Sequence, residues 1–289
     1  MEYEGRVFRP PSEARSFILQ VTIGCARNEC TFCSMYKEKS FRIRPMEDIL
    51  ADIDEVSREA GHIVRRIFLA DGDALIMPTD SLVKILKALQ LGFPVKERIT
   101  SYGAPLDVLN KSDEELKLLA DSGLDMVYLG LESGDDIILE NVKKRVTSAE
   151  SVEAVLRLKK AGIKSSVTVI SGLGGMERRH EHALLTAKAV SLMKPDYLGF
   201  LTLMLEPGMP ILQDIEEKRL TLLTPDFVME EMEEFLSSVD SQGTVFRANH
   251  ASNYLPLKGV LNEDIPNMLA MVKNAKKRQA YRNEGFRAL

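Results

Sequence analysis

Cys25, Cys30 and Cys33 stand within nine residues of one another in the stretch GCARNECTFCSMYK, and the chain has no other cysteine. Their spacing is C-x4-C-x2-C. Three soft thiolates on one short loop can hold three corners of a four-iron cluster, and with no fourth thiol the last iron is open to another ligand, which is a catalytic feature. Structural zinc would call for a fourth Cys or His, and the four histidines, His62, His180, His182 and His250, are far off in sequence. A redox dithiol made of Cys30 and Cys33 would leave Cys25 without a role. An odd number of cysteines in a chain with no secretory pattern also argues against a disulfide framework.

The frame around that loop is an ordinary globular one. With 289 residues, 45% apolar and 28% charged, the chain can bury a substantial core. Its net charge of −5 disfavours a protein that grips nucleic acid. No apolar run approaches the roughly 20 residues that span a bilayer, and the start, MEYEGRVFRPPSEAR, lacks the basic-then-apolar order of a secretory signal. A cytoplasmic protein is expected.

The elements that must position the cysteines follow from the alternation of short apolar runs with long amphipathic stretches. Six strands are expected, at residues 16–23, 66–71, 98–103, 126–132, 165–172 and 196–205. Between them, Ser112 with Glu115 and Thr147 with Glu150 fit capping boxes, and Thr224-Pro225 fits a helix start. Val152, Val155, Leu156 and Leu158 mark the inward face of another helix. Right-handed crossovers make this an α/β fold, a partial (β/α)6 TIM-like barrel with ligands at the C-terminal ends of its strands. Residues 1–215 are expected to form the barrel and 216–289 a helical and loop extension closing it, within the same structural unit, with a short extended piece at TVFRANH and a final helix from about Glu263. The cysteines then lie in the first βα loop. The basic run KKRQAYR reads as a solvated helix face, and the thirteen methionines as core filler.

The cysteine loop, with Phe32 just before the last cysteine, resembles that of the radical S-adenosylmethionine (radical SAM) superfamily, with one residue more between the first two cysteines than the commonest C-x3-C-x2-C. Further stretches match in order over roughly residues 15–215, in the manner of the core shared by oxygen-independent coproporphyrinogen oxidase and elongator-type enzymes. The resemblance implies that Cys25, Cys30 and Cys33 hold a [4Fe-4S] cluster and that Tyr36 contacts SAM. Asp71, Gly72 and Asp73 stand where the family has a Gly-Gly-Glu motif receiving the amino group of SAM. In LGLESGDDIILENVKKRVT, Glu132 and Ser133 fall where the branch faces the ribose and methionyl part of SAM; Ser133 as a helix N-cap is the other reading. Ile170 and Gly172 of VTVISGLGGME correspond to the adenine-packing region, and Leu205 of LMLEPGMPI to the strand end whose backbone reads the adenine edge.

The resemblance implies a reduced cluster that cleaves SAM to methionine and a 5′-deoxyadenosyl radical, which takes hydrogen from a substrate. The cofactor supplies the difficult chemistry and the protein the alignment. With all three thiols used, no auxiliary cluster, methyl-carrying cysteine or thiyl hydrogen donor is expected, nor a cobalamin domain ahead of the barrel. A small substrate, net consumption of SAM and an electron donor such as flavodoxin or ferredoxin are expected. In Thr244 to Leu261, Arg247, Asn249, His250, Asn253, Tyr254 and Lys258 crowd into a stretch without helical periodicity. It reads either as a loop over the substrate, with Arg247 or Lys258 meeting an anionic group and His250 or Tyr254 moving a proton, or as a loop capping the barrel. Tyr102, ending the third strand, is a candidate radical or proton relay. Two readings of other classes are an elongator-type RNA-modifying enzyme and a non-catalytic iron-sulfur electron carrier.

Overall fold

Each apolar run read as a strand forms one. The computed structural model describes residues 1–287. In chain order the elements are β1 (Phe17–Gln20), β2 (Thr22–Ile23), β3 (Arg42–Ile43), α1 (Met46–Ala60), β4 (Arg66–Ala70), α2 (Thr79–Gly92), β5 (Arg98–Tyr102), α3 (Pro105–Leu109), α4 (Asp113–Asp121), β6 (Met126–Glu132), α5 (Asp136–Asn141), α6 (Ser148–Ala161), β7 (Lys164–Ser171), α7 (Arg179–Met193), β8 (Tyr197–Thr202), α8 (Ile211–Glu216), α9 (Pro225–Ser238), β9 (Val245–Ala248), β10 (Leu257–Val260) and α10 (Ile265–Arg278). Eight strands share a mostly parallel sheet in the order β1-β4-β5-β6-β7-β8-β9-β10, and β2 pairs with β3 apart from it. The order does not close on itself.

The chain divides into two compact units. The first comprises Met1–Asn28, Met35–Leu129 and Ala154–Ser165. Its strands are parallel, with Phe17 opposite Ile67, Ile67 opposite Ile99 and Thr100 opposite Met126. Ile67, Phe68, Leu69 and Ala70 are all buried, as a strand covered on both faces must be. One face of this part of the sheet carries Ile18, Phe68, Ala70, Met126 and Tyr128, with Val7 and Tyr102 packed on them. The N-terminal segment ties to the same place: the Ser12 and Tyr128 hydroxyls hydrogen-bond at 2.8 Å, and buried Glu13 accepts from Tyr128 and, at 2.6 Å, from Arg98.

The second unit comprises Glu29–Ser34, Gly130–Glu153 and the chain from Ser166 onward. β8 runs parallel to β7, with Ser166 opposite Tyr197 and Ser171 opposite Thr202. Phe200, Phe235 and Phe246 form an aromatic cluster with centroids 4.8 to 6.4 Å apart that packs α9 on β8 and β9.

The helix starts read from sequence are present. Ser112 and Glu115 exchange side-chain bonds with each other's amides, as do Thr147 and Glu150, and Thr224 caps α9 ahead of Pro225. On α6, Val155 and Leu158 are buried, but Leu156 is exposed and Ala154 takes the inward place. The extended piece expected at TVFRANH is β9, which pairs parallel with β8, with Phe246 and Ala248 buried and Arg247 exposed. The rest of the stretch to Leu261 differs from the expected loop: it ends in a second strand, β10, which pairs antiparallel with β9 through Val245–Val260 and Ala248–Leu257.

Candidate active site

In the first unit Cys25 follows β2, and the Asp71–Gly72–Asp73 turn follows β4. The Gly72 amide donates to the Gly24 carbonyl at 3.1 Å, which lays the turn beside the cysteine loop. A Cβ on Gly72 would stand 2.5 Å from the Tyr36 ring and 2.9 Å from Cβ of Cys25, so only glycine fits. Asp71 is fully buried: its Oδ2 accepts from the Gly24 amide at 3.1 Å and from Lys39 Nζ at 2.6 Å, while its Oδ1 has no hydrogen-bond partner. The Tyr36 hydroxyl is also buried without a well-formed hydrogen bond. Burial, with Tyr102, Asp71 and Cys25 nearby, pushes that phenol far up, so it stays protonated. Its ring lies edge-on to Phe8, 5.4 Å between centroids.

Arg27, between the first two cysteines, was not singled out by sequence. It donates to Asp73 at 2.5 Å and to both oxygens of Asp107 at 2.7 and 3.1 Å, and both carboxylates are buried. This fork anchors the lengthened loop to the Asp71–Gly72–Asp73 turn and to α3. Tyr102 packs against Phe68 at 4.9 Å and Tyr128 at 6.1 Å between centroids.

The rest of the cysteine loop belongs to the second unit. The Thr31 amide donates to the Val142 carbonyl and the Thr31 carbonyl accepts from the Ile211 amide, both at 3.1 Å. Phe32, Ile170 and Leu205 pack on one apolar cluster of Ile138, Val142, Leu173, Met209 and Ile211. Cys30 Sγ lies 3.9 Å from the Lys143 carbonyl. All three cysteines are half-buried. Among the described residues no three or more His, Cys, Asp or Glu side chains are gathered tightly enough to grip a metal ion; the thiols' claim to iron rests on their softness, their spacing and the cradle at Gly72.

Glu132 ends β6 with φ of 63°, a left-handed conformation that a non-glycine residue rarely takes and that often marks a working site. Its carboxylate accepts from Lys144 at 2.7 Å. Ser133 is fully buried. Its Oγ accepts from the Asp135 amide at 3.0 Å and meets Nδ1 of His182 at 2.7 Å. The N-cap of α5 is Asp135, not Ser133: the Asp135 carboxylate accepts from the Ile137 amide at 3.0 Å and from Arg178 at 2.7 Å.

Ser171, Gly172, Thr202, Leu203, Met204 and Leu205, at the ends of β7 and β8, line a cavity of about 390 Å³ whose wall also includes Tyr254. Arg247 and His250 lie elsewhere. Arg247 sits exposed on β9 and donates to the Phe246 carbonyl at 2.8 Å. His250 is half-buried with Nδ1 accepting from the Ser252 amide at 3.1 Å, and burial with Arg282 nearby lowers its pKa. Tyr254 bonds Glu284 and takes a hydrogen bond from Arg287 at 2.6 Å; burial and Glu284 push its pKa up to about 12.

Three comparisons agree with this geometry. The first curated relative, 4′-phospho-dehydrooxetanocin synthase of Priestia megaterium, is 26% identical over 203 residues, covering 64% of this chain and 27% of the synthase. The chain thus spans less than a third of that relative's length. Coproporphyrinogen III oxidase (HemN) from Escherichia coli superposes with a TM-score of 0.59 at 14% identity, over 94% of this chain and 63% of HemN. The radical SAM methyltransferase TsrM from Kitasatospora setae, solved with cobalamin and a [4Fe-4S] cluster, superposes with a TM-score of 0.59 at 18% identity, over 75% of this chain and 43% of TsrM. At these identities the two structures establish the shared partial-barrel fold. The model of the radical SAM superfamily itself matches residues 19–187, more than half of the chain and all of the segment that carries the cysteine loop, the Asp71–Gly72–Asp73 turn and the end of β7. The chain therefore belongs to the radical SAM superfamily of enzymes, and its cofactors are a [4Fe-4S] cluster and S-adenosylmethionine.

Proposed function

We propose that the chain is a hydrogen-abstracting radical SAM enzyme acting on a small molecule, with its cluster held by Cys25, Cys30 and Cys33. The observation that carries this reading is the packing of Gly72 on Cys25 and Tyr36, which leaves a side-chain-free backbone edge against the first thiol. Beside that edge the buried Asp71 carboxyl and Tyr36 hydroxyl face each other without a well-formed hydrogen bond, polar atoms that a bound polar group could engage.

Bound there, the cluster and SAM would supply the radical chemistry that removes a hydrogen atom from the substrate. The chain's own residues bind and orient. Glu132, paired with Lys144 at 2.7 Å, offers a carboxylate to ribose hydroxyls. Ile170 and Leu205, with Phe32 on the same cluster, give adenine an apolar wall, and Gly172 lets it approach the β7 backbone. The cavity of about 390 Å³ suits one small molecule rather than a polymer. Net consumption of SAM completes the reading, because no fourth cysteine stands ready in this chain to return a hydrogen atom. We place the enzyme in the cytoplasm with a flavodoxin or ferredoxin as reductant, in keeping with three thiols used for metal.

The test is anaerobic reconstitution followed by dithionite and SAM. The wild type is expected to release 5′-deoxyadenosine and methionine in equal amounts. The variant with all three cysteines changed to serine is expected to release neither. A reconstituted wild type that cycles electrons and yields no 5′-deoxyadenosine would instead be an electron carrier.

A further inference from the structure

Behind the wall formed by Ser171 and Gly172, the second unit buries an imidazole and a carboxylate that no step above uses. Glu231 of α9 is fully buried, and its Oε1 accepts from the Ser171 hydroxyl at 2.6 Å and from the Gly172 amide at 3.0 Å. His182 of α7 is buried as well. Its Nε2 faces Glu231 Oε1 at 3.7 Å, and its Nδ1 meets Ser133 Oγ at 2.7 Å. His182 Nε2 and Glu231 Oε2 lack a hydrogen-bond partner. The chain of contacts runs from Ser133, next to Glu132, to Gly172.

The order Ser–His–Glu invites comparison with a hydrolase, and the geometry rejects it. Ser133 has no exposed surface, so its hydroxyl meets no substrate. Ser133 Oγ accepts from the Asp135 amide, and a strut through the pair assigns the Ser133 proton to Nδ1 of His182, the tautomer that places the imidazole proton on Nε2, toward Glu231. Burying an imidazole and a carboxylate costs more than burying two apolar side chains of the same volume. What the pair provides in return is directional: one end holds the backbone beside left-handed Glu132, the other holds the Gly172 amide. These are the two places where the proposed function sets ribose and adenine.

We propose that His182 and Glu231 are positioning residues, a buried strut that spaces the ends of β6 and β7 and thereby sets the affinity for SAM. The inference rests on the proposed SAM site. Arg179 of α7, paired with Glu230 at 2.8 Å and Glu234 at 3.6 Å, is the remaining charged neighbour of Glu231.

The test compares H182L with H182N and E231L with E231Q in the reconstituted full-length protein. It measures iron content, SAM affinity by anaerobic equilibrium dialysis, and amide hydrogen exchange at Ser133 and Gly172. The leucine variants are expected to keep their iron, exchange faster at both amides and bind SAM roughly tenfold more weakly, the cost of leaving buried polar groups unpaired. H182N keeps an acceptor for Ser133 and E231Q keeps one for Ser171 and Gly172, so both are expected to recover most of the affinity. Leucine variants with wild-type affinity and exchange overturn the strut. If the leucine variants do not fold, the ring nitrogen shifts of His182 in the wild type decide: an Nε2–H tautomer supports the strut, and an Nδ1–H tautomer overturns it. If the wild type binds no SAM, the proposed function falls, while the exchange contrast still tests the strut.

Discussion

Around Cys25, in the first unit, side chains are held by charge. Arg27 grips Asp73 and Asp107, and Lys39 reaches Asp71. At the ends of β6 and β7, in the second unit, the buried ties pass through hydroxyls, an imidazole and a carboxyl that burial biases toward its neutral form. The first arrangement fixes a loop with almost no regular secondary structure, where long charged side chains span gaps the backbone does not close. The second fixes two strand ends whose backbone is already set by the sheet, where short polar contacts suffice. Losing one partner therefore does different damage: in the first unit it strands a buried charge, and in the second it loosens a spacing.

The largest effect expected on the first side is loss of the cluster. Cys25→Ser should drop bound iron from about four per chain to near zero by anaerobic iron analysis, because a hydroxyl is a poor ligand for iron–sulfur clusters. Next, Arg27→Ala leaves Asp73 and Asp107 buried without their cation, and thermal denaturation should register a loss of about 3 kcal/mol. Full stability would reduce the fork to a surface contact. Gly72→Ala should cost ~1–3 kcal/mol by forcing a methyl against Tyr36 and Cys25, with slower cluster reconstitution as the second readout.

On the second side, Glu132 separates binding from folding. Glu132→Ala should weaken SAM binding roughly tenfold with iron unchanged, since it removes one charge-assisted acceptor and no thiolate. Glu132→Gly should weaken SAM binding equally yet fold about 1 kcal/mol more stably than the alanine variant, because glycine accepts a φ of 63° without strain. Equal stabilities would remove strain from the account of that residue.

The smallest effect is a pH dependence. Desolvation raises the pKa of Glu231 above the ordinary carboxylate range, against the opposing pull of His182, Ser171, the Gly172 amide and Arg179. A folded-state pKa above the unfolded one gives stability that is complete below the unfolded value and is lost as pH rises through the folded value. Wild type should therefore lose stability relative to Glu231→Gln as pH rises above the ordinary carboxylate range. A difference that grows in wild type's favour as pH rises would mean the carboxylate is ionised in the fold.

How much of this was readable in the chain depends on sequence distance. Ser112 with Glu115 and Thr147 with Glu150 were legible because a capping box is three residues long and each member specifies the other. Arg27 carried a weaker signal, a lone cation inside the cysteine loop, and nothing in its neighbourhood pointed to Asp107. His182 and Glu231 carried none. They lie on helices nearly fifty residues apart, and each alone reads as a polar residue on an amphipathic helix. β9 was legible as the extended piece TVFRANH, but β10 is four residues of LKGV, with a lysine and a glycine in place of the apolar run that marks a strand.

The chain's local order was enough to assign the metal chemistry, since three thiolates within nine residues have few other uses, and enough to place the strands, since burial on both faces demands unbroken apolar runs. It was not enough to say how Ser133 is used. A serine after a strand can cap a helix, meet a ligand or turn inward, and these choices differ by small energies that its own neighbours do not separate. Packing of α7 and α9 in the second unit made the choice, by bringing His182 to the Ser133 hydroxyl and Glu231 to Gly172 in a place water does not reach, where an unmade hydrogen bond costs most.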